Sequence, residues 1–134
     1  FFEHKNLYRT IREDVKKNRY TLQLGKGKIR KIGDDLTVVT YGMGVHWILD
    51  LLKEYNKTQI EVIDLNSLVP WDKELVFNSV KKTGKAIIAD SGWVEGGIGA
   101  EISSRLSGEL FDDLKPIKFL EDFLKKKAKN YRLN

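Results

Sequence analysis

His46 stands where chemistry would be expected, just after Tyr41-Gly42-Met43-Gly44-Val45 at the mouth of a helix. A neutral imidazole there can donate to a phosphate or substrate oxygen. No acid–histidine–nucleophile constellation surrounds it in the sequence, so packing in the fold or at an interface is the competing reading. The other histidine, His4, lies in the opening segment without such a setting. Gly42-x-Gly44 and Gly96-Gly97-x-Gly99 both follow strand-like runs. Exposed amides at a helix start bind anions, which makes Gly42, Gly44, Gly97 and Gly99 candidate anion-binding positions. Neither segment completes a dinucleotide fingerprint, and the glycines serve equally well for positive dihedrals and close helix–strand approach.

Three acids, Asp90, Glu95 and Glu101, fall near the second glycine segment. Spacing alone does not turn them into a general acid and base or a magnesium site, and a solvated rim or partner-binding surface is the alternative. Trp47, Trp71 and Trp93 sit near predicted strand ends or the helix starts that follow them. Large rings so placed suit a protein contact, although partial core burial explains each one separately. The interface candidates are therefore His46, Trp47, Trp71, Trp93 and Glu95.

The elements that must position these residues follow from periodicity. Residues 1–24 have no sustained period and read as an entry arm. Lys28–Ile32 alternates apolar and charged residues, Gly33-Asp34-Asp35 supplies a turn, and Leu36–Tyr41 is rich in β-branched residues. That pattern predicts an antiparallel hairpin feeding a buried strand. From Val45, apolar residues recur at helical spacing until Asn56-Lys57-Thr58. A strand over about Gln59–Asp64 follows, and Asp72 then stands as N-cap of a helix carrying Leu75, Val76 and Val80. Lys85–Asp90 is a further parallel strand, and Ile102, Leu106, Leu110 and Phe111 mark another helix. Pro116–Leu120 is the last expected strand. The alternation βαβαβαβ places helices on both faces of a mostly parallel sheet, because each parallel crossover needs a long return. The first strand is expected at an antiparallel edge.

A chain of 134 residues suits one domain with a substantial core. Hydrophobic content is 41%, and no apolar run approaches the roughly 20 residues needed to span a bilayer. No membrane partner is expected. Without cysteine there is no disulfide framework or thiolate metal site, which fits a reducing compartment. The net charge of +5 comes largely from Lys16, Lys17 and Arg19 near the start and Lys125, Lys126, Lys127 and Lys129 near the end. Such runs are commonly solvated faces, and no nucleic-acid motif accompanies them. The opening Phe1-Phe2, with neither an initiator methionine nor a cleavable apolar stretch, reads as a piece of a longer protein.

Five segments together carry a family resemblance: FFEHKNLYR at 1–9, GKGKIRKIGDDLTVVTYGMGVH at 25–46, EVIDLNSLVPWD at 61–72, SVKKTGKAIIADSGWVEGGIGAEI at 79–102 and FDDLKPIK at 111–118. In this order the sequence resembles the C-terminal domain of the beta subunit of 2-oxo acid dehydrogenases, in the decarboxylating component acting on branched-chain 2-oxo acids or pyruvate. The broader relation is to the transketolase C-terminal domain. The resemblance implies a three-layer α/β/α domain with a mostly parallel five-stranded sheet and one antiparallel edge strand. It implies an arm at 1–24, the domain proper at 25–120 and a basic tail or short helix at 121–134.

The same resemblance implies oxidative decarboxylation with acyl transfer to lipoamide in the complete enzyme. Thiamine diphosphate and magnesium would be bound outside this fragment, which itself would be inactive and hold no catalytic, cofactor-binding or metal-binding residue; the chemistry is the cofactor's. Implied partners are an alpha subunit, a second beta subunit and the subunit-binding domain of the lipoyl acyltransferase component, in the cytoplasm of a bacterium or the mitochondrial matrix. The chain departs from the family pattern at Asn66, where arginine is usual, at Asp90, where glutamate is common, at Lys115 before Pro116, and after Phe119, where Leu120–Lys127 replaces a proline-containing stretch. The last departure bears on acyltransferase docking. Two other readings are a further transketolase-like enzyme, such as a deoxyxylulose phosphate synthase, and a free-standing anion-binding or regulatory α/β module.

Overall fold

The computed structural model describes residues 1–12, 14–15, 17–55 and 59–114. After a single turn of helix, α1 (Leu7–Thr10), the elements run β1 (Lys28–Lys31), β2 (Leu36–Thr40), α2 (Met43–Glu54), β3 (Ile60–Asp64), α3 (Lys73–Thr83), β4 (Ala86–Ala89) and α4 (Ile98–Glu109), closing in a 3-10 turn at Phe111–Asp113. The sheet has four strands in the order β1-β3-β2-β4, with β3, β2 and β4 parallel and β1 antiparallel to β3. This is the mixed, mostly parallel α/β architecture expected from the periodicity, with the antiparallel strand at an edge. The expected strand at Pro116–Leu120 and the tail lie outside the described residues.

One expectation is corrected. β1 and β2 do not form a hairpin; β1 pairs with β3, matching Lys28 to Asp64 and Ile29 to Ile63. Two parallel neighbours occupy both edges of β2, Val38 lying opposite Val62 on one side and Ile87 on the other. The turn at 33–35 therefore carries the chain across the start of β3 instead of folding it back. Gly33 passes so close to the backbone of Gln59 and Ile60 that a Cβ there would collide with it, and the Asp35 amide donates to the Gln59 carbonyl at 2.8 Å. A turn signal in sequence specifies reversal of direction, and it is silent on which strand receives the returning chain.

Alternation along the strands sends apolar side chains to two faces. Val39, Ile63 and Leu65 pack with Val76 and Val80 of α3 and Ile102 and Leu106 of α4. Leu36, Val38, Ile60 and Val62 pack with Leu52 of α2. Each such buried side chain is worth about 1.5–3 kcal/mol relative to exposure. A buried polar seam interrupts the first cluster near the amino ends of the strands. The Ser79 hydroxyl donates to Glu61 Oε1 at 2.5 Å, Lys82 Nζ lies 2.6 Å from Glu61 Oε2, and Thr37 Oγ1 lies within hydrogen-bond reach of both Ser79 and Thr83. Glu61 is only 2% exposed, so its charge is tolerated because both oxygens are engaged.

Asp72 acts as the expected cap and more. Its Oδ1 accepts the Leu75 amide at 3.2 Å, closing the first turn of α3, while Oδ2 accepts the Gly27 amide at 3.1 Å. At the other end, Gly84 takes the left-handed conformation (φ 69°) and donates to the Val80 carbonyl at 2.7 Å.

Candidate functional site

β2 leaves the sheet for α2 on one face, and β4 leaves for α4 on the other. Adjacent parallel strands whose exits diverge leave a crevice at their carboxyl ends, the usual ligand position in open α/β sheets. Thr40 and Ala89 are the last paired residues, and Thr40 Oγ1 donates to the Ala89 carbonyl at 2.8 Å. The next residues on the two strands are Tyr41 and Asp90. The Tyr41 hydroxyl donates to Asp90 Oδ1 at 2.5 Å, bridging the crevice.

Asp90 Oδ1 also accepts the Gly92 amide at 2.8 Å, and the nearby amides of Gly99 and Ser91 favour its charged form. Partial burial would raise the Asp90 carboxyl, but the Tyr41 hydroxyl and those amides outweigh it and hold the group below its ordinary value of 3.8. Burial, then the hydrogen bond and charge of Asp90, push the Tyr41 phenol up from 10.0 to about 12. At neutral pH the bridge is therefore a neutral phenol on a charged carboxylate. Beside it lies a cavity of about 290 Å³ walled by Phe2, Met43, Trp47 and Ile48, with His4 and Glu3 at its rim.

The glycine segments differ. Gly42 takes φ 55° at the start of α2, with open space where a Cβ would stand, while Gly44 is packed against the Thr40 hydroxyl. α2 has no acidic residue in its first turn and no side-chain cap. Gly97 caps α4 with its Cα against the Trp93 carbonyl, and Gly99 lies beside Asp90, whose carboxylate faces the start of that helix. The three acids do not gather. Asp90 is tied to Tyr41, Glu101 pairs with Arg105 at 2.8 Å, and Glu95 is exposed in the loop. Among the described residues no three His, Cys, Asp or Glu side chains are grouped so as to hold a metal ion.

The tryptophans divide as well. Trp71 packs on the α3–α4 cluster with its ring centroid 6.3 Å from that of Phe77. Trp47 is 59% exposed and Trp93 87% exposed, next to Val94 at 88%. His46, in α2, lies near Asp50 and Asp64 and favours the charged form of both. Burial is the larger influence on Asp64 and leaves its carboxyl above the ordinary value, although Arg30 sits 3.6 Å away. Sequence reasoning missed the Tyr41–Asp90 bridge. Its signal was positional, each residue immediately following a strand of one parallel pair.

With this geometry in view, residues 25–118 match the family profile described as "Transketolase, C-terminal domain". The chain belongs to that family. It is 40% identical over 123 residues to the 2-oxoisovalerate dehydrogenase subunit beta of Bacillus subtilis (strain 168), covering 90% of this chain and 38% of that protein. Against the mitochondrial 2-oxoisovalerate dehydrogenase subunit beta of Chaetomium thermophilum, identity is 42% over 107 residues, covering 78% and 23% of the two chains. Against the pyruvate dehydrogenase E1 component subunit beta of Mycoplasma genitalium it is 38% over 117 residues, covering 86% and 36%. The chain thus spans well under half the length of these relatives. Among solved structures, one titled "Split gene transketolase, inactive beta4 tetramer" superposes with a TM-score of 0.61 at 33% identity, covering 67% of this chain and 30% of that one.

Proposed function

We propose that this transketolase C-terminal domain is the interface-forming part of the beta subunit of a thiamine diphosphate-dependent 2-oxo acid dehydrogenase. The complete enzyme oxidatively decarboxylates a branched-chain 2-oxo acid or pyruvate and passes the acyl group to lipoamide. Its partners are an alpha subunit, a second beta subunit and the lipoyl acyltransferase component, in the cytoplasm or the mitochondrial matrix. The relatives' names support this reading, and no described helix is long and apolar enough to cross a membrane. In the complete domain a fifth strand completes a three-layer α/β/α sandwich, and the outer edge of β4, unpaired among the described residues, would accept it. In this reading thiamine diphosphate and magnesium are bound by other parts of the enzyme, and the chemistry they supply is the cofactor's.

One observation carries the interface reading. The Asp90 carboxylate, held by Tyr41 and Gly92 and lying beside Gly99, anchors the loop from which Trp93 and Val94 project almost fully exposed. A large apolar pair on an anchored loop suits a protein contact, because little further ordering is needed on association. Glu95, Trp47 and His46 extend the same contact. In the full-length beta chain co-expressed with its alpha subunit, Trp93→Ala should weaken assembly in sedimentation velocity while leaving the circular dichroism of the beta chain unchanged. Unaltered assembly would count against the proposal. A second reading, an anion site at Gly42 and Gly44, is favoured by the uncapped start of α2, and a thermal shift with phosphate tests it.

A further inference from the structure

A groove of about 770 Å³ runs between α1 and the first turns of α2, bordered by Lys5 and Arg9 on one side and Met43, His46, Trp47 and Asp50 on the other. Several cations elsewhere on the chain are already paired. Lys82 is spent on Glu61 at 2.6 Å, Lys73 on Glu109 at 2.6 Å, Lys53 on Asp50 at 2.7 Å, and Arg105 on Glu101 at 2.8 Å. Lys5 and Arg9, four positions apart, have no carboxylate partner among the described residues, and the one acid on the groove, Asp50, is already taken by Lys53. The opposite wall offers the half-exposed indole of Trp47 with Met43 beside it.

We propose that this groove docks an acidic segment of a partner chain, with carboxylates against Lys5 and Arg9 and an apolar side chain on Trp47. The inference rests on the interface reading and gives the chemistry of the partner on this side. Charge complementarity selects the occupant: two cations without a carboxylate partner among the described residues repel a basic surface, and an aromatic wall accepts an apolar anchor that a small inorganic anion would not use. The groove is also more than twice the volume of the switch-point cavity at about 290 Å³, which suits a peptide better than a compact anion.

The test uses the full-length beta chain in its assembled enzyme and a short fluorescent peptide of Glu and Asp around a central Leu-Phe pair. Its Gln and Asn counterpart serves as control. The acidic peptide should bind and the control should not, with affinity falling as salt is raised. The double variant Lys5→Glu/Arg9→Glu should lose about tenfold or more in affinity, and Trp47→Ala should weaken binding as well. Lys5→Gln/Arg9→Gln repeats the test without charge reversal. Equal binding of the two peptides, unchanged binding by both double variants, or displacement of the peptide by stoichiometric pyrophosphate would overturn the proposal. Sedimentation of the same samples separates the two readings. Loss of assembly in Trp93→Ala with unchanged peptide binding in the charge variants sinks this inference alone, and the converse sinks the Trp93 interface alone.

Discussion

The two glycine-rich helix starts look alike in sequence and differ in electrostatic outcome. α2 and α4 are both 12 residues long, leave neighbouring strands, and begin with glycine at the N-cap. The last residue before the α4 loop is an acid, Asp90, whose carboxylate lies beside Gly99 and so supplies the negative charge that a helix start attracts. The last residue before the α2 loop is Tyr41, which donates its hydroxyl across the crevice to that same acid. One helix start is thus neutralised from within, and the other keeps its amides clear of any acidic side chain in its first turn. A glycine pattern identifies a place where amides are accessible, and the residue at the strand end decides whether they stay so.

The largest break in this contrast should come from Asp90→Ala. It strands the Tyr41 hydroxyl and the Gly92 amide together, at an expected cost of about 3 kcal/mol in urea denaturation, since hydrogen bonds to a charged group are worth about 1.5–3 kcal/mol. Next, Gly42→Ala forces a side chain into a φ of 55° and should cost about 1–3 kcal/mol, whereas Gly99→Ala, with ordinary contacts to Asp90 and Ile88, should stay within about 0.5 kcal/mol. Equal losses at the two positions would erase the distinction drawn between the loops.

Tyr41→Phe removes one hydrogen bond and should cost about 1 kcal/mol. The phenol should titrate near pH 12 by ultraviolet difference spectra, and closer to its ordinary 10.0 in Asp90→Asn. Because the folded carboxyl of Asp90 lies below the unfolded one, its contribution is complete above pH 3.8 and is lost as pH falls through the folded value; Asp90→Asn should flatten that acid limb. The smallest effect sharpens the comparison most. Phosphate should raise the Tm of Asp90→Ala more than that of the unaltered chain, by an increment worth about 0.3–1 kcal/mol, because the α4 start is then open to an external anion.

Much of the fold was legible because it rests on local periodicity. The β-branched run at 36–40, the helical spacing after Val45 and the Asp72 cap each specify an element from neighbouring residues alone. The partner of β1 was not legible, since the alternating β1 and the β-branched β2 suit a hairpin equally well and only the three-dimensional competition for the edges of β2 decides the pairing. The role of Glu61 was not legible either. It becomes a buried acid held at both oxygens because Ser79 and Lys82, on α3, meet it. Among the candidate contact residues, sequence placed the three tryptophans alike; the packing of Trp71 on Phe77 separates it from the exposed Trp47 and Trp93.

The two oxygens of Asp72 have a further consequence. One holds the first turn of α3 and the other the Gly27 amide, one residue before β1. A slip of β1 along β3 by one residue would invert its side-chain faces and drag that amide off the carboxylate. The helix cap therefore serves as an indexing pin for an edge strand that is only four residues long, locking into the sheet a segment too short to define its own alignment.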